Sequence, residues 1–235
     1  MLMFDEGLQS SGKRAHSELA VIHSPRAIYE TSRKLADLDS VVVSKTNSGF
    51  RREDIERFSD ALEEALDEHP RFLVFDFAHR NGFSETRNGF DGLPELIHAC
   101  ANLIATSSVV AVAWVRGPMA GADLEFALAC SMMAAEAPAT FTLSPYGAAY
   151  AFLARKIGVA RAEQIMLERD VLDAATMRDL LLIRHVESTP DENDLALNGF
   201  LGRSLRRHNA LAHMYRAQRL VMPVSFELVR AAHGA

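Results

Sequence analysis

The sequence predicts an α/β fold in which helices cover a largely parallel sheet. Two segments, RFLVFDFAH at 71–79 and VVAVAWV at 109–115, hold continuous apolar runs of strand length. Such runs are typical of strands that are buried on both faces. Segments with helical periodicity alternate with the strands along the chain, which is the order that builds a parallel sheet.

The first half of the chain supplies two β-rich stretches, around 28–34 and 41–46, with a turn-like Asp-Leu-Asp between them. The segment REDIERFSDALEEALDEHP follows and places apolar residues on one face, which predicts a surface helix that ends before Pro70. After the strand RFLVFDFAH comes a loop rich in turn residues, RNGFSETRNGFDGLP, and then the helix ELIHACANLIATS.

The second half continues the alternation after VVAVAWV. It predicts a helix at Gly121–Cys130, one or two short strands in MMAAEAPATFTL, and two helices separated by Gly158. The segment VLDAATMRDLLLIRHV has the pattern of strand, helix and strand. The remainder is helical, with a break at Pro223.

Three regions are expected along the chain. Residues 1–18 are polar and lack periodicity, which predicts an arm outside the core. Residues 19–190 are expected to form the core, and 191–235 a helical segment for packing or oligomerisation. A basic stretch at 203–219 alternates arginine with apolar residues, which is typical of a solvated helix face.

Composition excludes some classes of function. The chain has 235 residues, of which 49% are hydrophobic and 24% charged, and its formal charge of −6 argues against a nucleic-acid surface. No apolar run reaches the roughly 20 residues that a membrane span needs, and the N-terminal sequence lacks a signal-peptide pattern. Cys100 and Cys130 lie in apolar patterns without metal-ligand spacing, so we expect buried thiols in a cytoplasmic protein.

The stretch GPMAGADLEFALAC at 117–130 is the strongest candidate for a functional site. A strand, a Gly-Pro turn and small residues lead into a helix whose first N–H groups could stabilise an anion or a developing oxyanion. Glu125, about one turn into the helix, could then transfer a proton. The alternative is that Asp123 and Glu125 merely interact with the helix dipole, a contribution of about 0.3–1 kcal/mol.

The region 109–186 resembles the crotonase (enoyl-CoA hydratase/isomerase) superfamily. The family motif N-G-x-A-x-G-G-G-x-E-L-A-L-x-C-D is matched by residues on both sides of the helix start, namely Gly117, Gly121, Glu125, Ala127, Leu128 and Cys130. Downstream, GAAYAFLARKIGVARAEQIMLE is most similar to the diffusible-signal-factor synthases, which act on acyl chains carried by acyl carrier protein. The resemblance implies a ββα spiral core with a C-terminal helical segment, assembled as a trimer or hexamer.

The resemblance also implies an oxyanion hole for an acyl thioester. One donor would be the N–H group of Ala122, next to Gly121, where the family has glycine. The third glycine of the family triplet is Asp123, whose charge would oppose an oxyanion unless it points away or is protonated. The first donor would come from the loop FSETRN, with Arg87 in register and Glu85 beside the substrate; a polar surface loop is the alternative.

Glu125 corresponds to the first of two catalytic glutamates in the family, and ATFTLSPYGAAYAF contains no second one. Tyr146 lies near the corresponding position and could donate a proton, although packing is the other interpretation. A hydratase uses two acid/base groups, whereas one base suits an isomerase, a thioesterase or a lyase of fatty acid metabolism. The absence of the second glutamate, the altered glycine triplet and the altered first loop equally suit a non-catalytic subunit that partners an active homologue.

A few other residues were considered as candidates for a metal or catalytic site. We expect no metal and no cofactor, with coenzyme A or acyl carrier protein entering only as part of the substrate. His208 and His213 are five residues apart and do not share a helix face. Asp76 and His79 end a strand near the expected site. His98 is expected to be a partly buried residue of an apolar helix.

Overall fold

The computed structural model describes residues 32–80, 92–144, 147–190 and 193–233. Within these ranges the strands are β1 (Ser32–Leu35), β2 (Ser40–Lys45), β3 (Phe72–Phe77), β4 (Val110–Val115), β5 (Met119–Ala120), β6 (Met132–Glu136), β7 (Thr140–Thr142), β8 (Val171–Asp173) and β9 (His185–Glu187). Six of them pair in the order β1-β2-β3-β4-β6-β9, and the other three form a second sheet in the order β5-β7-β8.

The helices follow the predicted order. They are α1 (Arg52–Glu68), α2 (Leu93–Thr106), α3 (Gly121–Ala129), α4 (Ala149–Ile157), α5 (Val159–Glu168), α6 (Ala174–Asp179), α7 (Leu195–Leu205), α8 (His208–Val221) and α9 (Phe226–His233), with a 3-10 turn at Ala36–Leu38. The predicted helices around Gly158 and the break at Pro223 are confirmed. The two-residue strand β5 was not predicted, because it is too short to leave a periodic pattern.

The large sheet is buried and mostly parallel, as the continuous apolar runs predict. Strands β2, β3, β4, β6 and β9 run parallel, and only β1 pairs antiparallel among these six. Every residue of β3, β4 and β6 is buried. The carboxyl ends of these strands therefore lie at one edge of the sheet, from which the chain leaves β4 to enter β5 and α3.

Two basic side chains cap the C-terminal end of α3. Arg219 of α8 donates to the carbonyl of Ala129, and Lys156 Nζ donates to the carbonyl of Cys130 over 3.5 Å. A helix C-terminus carries partial negative charge, so cations are favoured there. The expectation of a solvated face at 203–219 is therefore wrong for Arg219, which turns inward.

Lys156 gives a pH-dependent prediction. Burial, assisted by the charge of Arg219, lowers the pKa of Lys156 from 10.5 to about 8. Between these values the unfolded chain binds the proton and the folded chain does not, so this residue makes the protein more stable as pH rises. From pH 8 to 10 the free energy of unfolding should rise by about 1–3 kcal/mol relative to Lys156→Met. Urea denaturation measures the free energy of unfolding of both proteins at each pH. The prediction would be contradicted if this free energy changed equally in the two proteins from pH 8 to 10.

Two further sequence expectations can be compared with the fold. Cys100 and Cys130 are free thiols with no solvent exposure, as predicted. His98 is exposed rather than partly buried, and its ring contacts that of Phe226 with centroids 5.6 Å apart. None of the helices in the described ranges is long and apolar enough to span a membrane.

Candidate functional site

Glu125 lies in the second turn of α3, where its position is set by the packing of the next residue. The ring of Phe126 contacts Phe75 of β3 and Phe58 of α1, with centroids 4.8 and 5.3 Å apart. These aromatic contacts hold α3 against the sheet. Glu125 itself is only 3% exposed, so its carboxylate lies in a closed part of the molecule rather than on the surface.

The N-terminus of α3 has open space beside its backbone. Gly121 begins the helix with φ of +51°, and among the described residues, apart from its chain neighbours and the backbone of its own helix, no heavy atom lies within 4 Å of where its Cβ would be. The N–H groups of Gly121, Ala122 and Asp123 belong to the first turn, where no intrahelical acceptor exists. Among the described residues, open space therefore adjoins N–H groups that have no acceptor within the helix, about one turn before Glu125.

Asp123 is held away from solvent in an ion pair. Its two carboxylate oxygens lie 3.2 and 3.3 Å from Lys45 Nζ, and the N–H group of Gly49 donates to Oδ2 over 2.8 Å. Burial raises the pKa of Asp123, while the charge of Lys45 opposes that change. The lysine thus offsets the negative charge that Asp123 would otherwise place beside the first turn of α3, and this geometry favours a structural role for Asp123.

The turn that joins β4 to β5 is packed against the end of β3. A Cβ on Gly117 would lie 2.5 Å from the carbonyl oxygen of His79 and 2.9 Å from Cα of Arg80. His79 Nε2 lies 2.7 Å from the carbonyl oxygen of Pro118, to which it donates, and 4.0 Å from Asp123. His79 therefore stabilises the turn that places α3.

Gly117→Ala is expected to destabilise the protein by about 1–3 kcal/mol, because the new methyl group would overlap backbone atoms that cannot rotate away. Urea denaturation measures the change. The matched control is Gly202→Ala in α7, where a Cβ would meet nothing within 4 Å and alanine favours the helix. Equal stabilities of the two variants would show that the turn is not tightly packed.

The carboxylate of Glu125 has two close neighbours that the sequence did not reveal. His233, at the end of α9, places Nε2 2.8 Å from Oε2. On the other side, a Cβ on Gly147 would lie 2.1 Å from Oε1, so a glycine with φ of +86° makes space for this oxygen. No local pattern around residue 233 points to residue 125, because only the docking of α9 brings them together.

Asp76 belongs to a separate cluster of charges at the strand ends. Arg116 donates two hydrogen bonds to its carboxylate, at 2.8 and 3.0 Å, and a third to Asp194 at 2.7 Å. Although burial opposes the charge, these carboxylates raise the pKa of Arg116 above its ordinary value. The cluster ties α7 to the sheet, and this accounts for Asp76 without a catalytic role.

Three predicted site residues, Tyr146, Arg87 and Glu85, lie outside the described residues. Glu125, Ala122 and Gly121 lie together at the N-terminal half of α3, while the side chain of Asp123 is directed to Lys45. In the described ranges no group of three or more His, Cys, Asp or Glu residues could hold a metal ion.

Solved structures share this fold across most of their length, although no protein-family model and no curated protein sequence matches the chain. An enoyl-CoA hydratase from Mycobacterium avium subsp. paratuberculosis K-10 is 26% identical with a TM-score of 0.68, and the match covers 87% of each chain. ThnE from S. clavuligerus is 18% identical with a TM-score of 0.67, over 86% of this chain and 98% of its own.

A third solved structure matches a similar share of this chain. An enoyl-CoA hydratase from Mycobacterium smegmatis is 15% identical with a TM-score of 0.64, over 86% of this chain and 87% of its own. Each of the three matches therefore covers most of both chains. The chain therefore has the crotonase fold of the enoyl-CoA hydratase/isomerase proteins, with a helical C-terminal segment.

Proposed function

We propose that the chain is a crotonase-superfamily protein that binds an acyl thioester and transfers a proton at the carbon next to the thioester carbonyl. The observation that carries the proposal is the position of Glu125 one turn after the first-turn N–H groups of α3. Removal of that proton places negative charge on the thioester oxygen, which helical N–H donors stabilise. Glu125 is the base in this scheme.

Double-bond isomerisation is the reaction that one carboxylate serves best. Glu125 removes a proton from the α carbon of a 3-enoyl thioester, and the electron pair of that C–H bond forms the dienolate. A proton then enters at the γ carbon, and the double bond moves from the β,γ to the α,β position. No oxidant and no cofactor is needed, and coenzyme A or acyl carrier protein enters as the carrier of the acyl chain.

Hydration has less support, because it places water across the double bond with two acid/base groups. Glu125 fills one of these roles, and the family position of the second glutamate falls near Pro145 and Tyr146, of which neither is a carboxylate. Thioester hydrolysis and carbon–carbon cleavage remain reactions that one base and an oxyanion hole could support.

The test is a panel of thioesters with the purified protein. It includes 3-hexenoyl-coenzyme A, 2-hexenoyl-coenzyme A and hexanoyl-coenzyme A, together with the hexanoyl and 3-hexenoyl forms of acyl carrier protein. We expect conversion of the 3-enoyl to the 2-enoyl thioester, followed by mass spectrometry and ultraviolet absorbance. Hexanoyl-coenzyme A in D₂O reports removal of the α proton alone. The proposal would be contradicted if neither isomerisation nor α-proton exchange occurred with coenzyme A thioesters or with acyl carrier protein thioesters.

A non-catalytic subunit is the second candidate, and the closure of the site favours it. Glu125 is 3% exposed and is covered by His233 and by Gly147. Such a protein would bind coenzyme A, which would raise its melting temperature, without turning over any thioester.

We further propose that the protein assembles as a trimer or hexamer. Light scattering would measure the mass of the purified protein, both when it is expressed alone and when it is co-expressed with an active homologue.

A further inference from the structure

A small cavity lies at the C-terminal end of α3, away from the first-turn N–H groups that adjoin Glu125. Its volume is about 10 Å³, close to the least that holds one water molecule. Residues of α2, α3, α4, α8 and the loop before β6 line it, and three of the lining side chains are cations, Arg155, Lys156 and Arg219. The cavity therefore offers a space of about one atom in a positively charged setting.

In the described part of the chain, these three cations form no ion pair with a carboxylate, and their hydrogen bonds run to backbone carbonyls. Arg155 Nη1 donates to the carbonyl of Pro223 over 3.0 Å, and Lys156 and Arg219 donate to carbonyls at the end of α3. A helix C-terminus carries about half an elementary negative charge. Most of the positive charge around the cavity is therefore not offset by these contacts.

The cations also repel one another. Burial and the charge of Arg219 lower the pKa of Arg155. Burial, followed by the charge of Arg219 and smaller contributions from Arg184 and Arg155, lowers the pKa of Lys156 to about 8. At neutral pH Lys156 still keeps most of its charge, because this pKa lies above 7. A negative charge placed among these groups would offset the repulsion.

A buried hydroxyl group lines the same cavity. Ser131 directly follows the end of α3 and is 5% exposed, and its Oγ has no hydrogen-bond partner among the described residues. A buried hydroxyl group without a partner is unfavourable. Guanidinium and ammonium groups are donors only, and a hydroxyl group can donate as well. Together these groups suit an anion and not a cation.

We propose that this cavity binds chloride, held by Arg155, Lys156, Arg219 and the hydroxyl group of Ser131. A monatomic anion fits the size of the cavity, whereas phosphate, sulfate and carboxylates are larger than its volume. The ion joins α4 and α8 to the end of α3. The site is separate from the carboxylate of Glu125, so the inference stands or falls independently of the proposed function.

The alternative counter-charge is a thiolate of the protein itself. A hydrogen bond with Cys130 lowers the pKa of Cys100, although burial opposes the change, and the charges of Arg219 and Lys156 lower it further. Ionised Cys100 would supply the negative charge without any ligand. It would leave Ser131 Oγ without a partner, which is why chloride accounts for more of the cavity lining.

The experiment measures thermal unfolding of the purified protein at neutral pH in sodium chloride and in sodium gluconate of equal ionic strength. Gluconate is too large for the cavity, so general screening by salt is the same in both. We expect about 0.2 M chloride to raise the melting temperature of the wild type by about 2–4 °C over gluconate, with a saturable dependence on chloride that gives its Kd.

Two variants test the lining. Ser131→Ala removes the hydroxyl group and Arg155→Gln removes one cation, and each should weaken chloride binding about 5-fold or more. The matched controls are Ser204→Ala, at a half-exposed position of α7, and Arg161→Gln, at an exposed position of α5, neither of which lines the cavity. Both controls should keep the wild-type response. If Ser131→Ala does not fold, Arg155→Gln provides the same comparison.

Anomalous diffraction from crystals grown in sodium bromide locates the ion. We expect a bromide peak within hydrogen-bond distance of Ser131 Oγ. Equal melting temperatures of the wild type in chloride and gluconate, or a chloride response that both lining variants keep, would overturn the inference. Ultraviolet absorbance of a thiolate that Cys100→Ala abolishes, with no bromide in the cavity, would overturn it in favour of the internal counter-charge.

Discussion

Glu125→Gln is expected to lower both isomerisation of 3-hexenoyl-coenzyme A and α-proton exchange of hexanoyl-coenzyme A by about 10²–10⁴-fold. An amide has the size of the carboxylate but cannot accept the proton. The substitution leaves the packing around Phe126 intact, so the melting temperature should change little. The loss should appear in kcat, since the amide still fills the space between Gly147 and His233.

The control is Glu95→Gln, a change of the same chemistry at an exposed position in the first turn of α2. It should keep the wild-type rate. If Glu125→Gln also exchanges the α proton at the wild-type rate, the base is a different residue. If the wild-type protein is active but Glu125→Gln has unfolded, Glu125→Asp replaces it in the same assay.

Lys45→Met is expected to cost about 3–5 kcal/mol of the free energy of unfolding, because it leaves the Asp123 carboxylate buried without its cation. Lys45 has no exposed surface and Asp123 is 1% exposed. Burial lowers the pKa of Lys45 and raises that of Asp123, so each charge depends on its partner. Urea denaturation at neutral pH measures the loss.

A double-mutant cycle makes this prediction specific to the ion pair. Asp123→Asn keeps an acceptor for the N–H group of Gly49 and removes the charge. The double variant, Lys45→Met with Asp123→Asn, should therefore lose less stability than the sum of the two single changes. Additive losses would mean that the 3.2 Å contact contributes no coupling between Lys45 and Asp123.

The fold could be predicted from the sequence because its signals are local. Continuous apolar runs marked β3 and β4, and the spacing of apolar residues marked α1 and α2. Gly158 and Pro223 interrupt helical patterns, and the helices end where these residues predict. The small residues before Glu125 likewise marked the start of α3, which is where the site lies.

The contacts that complete the site could not be predicted, because they join distant parts of the chain. Lys45 ends an apolar strand and would ordinarily be a solvated residue at its edge, yet it is fully buried against Asp123. His233 is one polar residue on a short C-terminal helix, and its meeting with Glu125 depends on the docking of α9. Neither contact leaves a periodic or spaced signature.

The crystal structure of the protein with bound hexanoyl-coenzyme A would test the central claim most directly. We expect the thioester oxygen about 3 Å from the backbone nitrogen of Ala122, and the α carbon about 3–3.5 Å from a carboxylate oxygen of Glu125. A thioester bound away from the N-terminus of α3, with Glu125 still enclosed by His233 and Gly147, would contradict it.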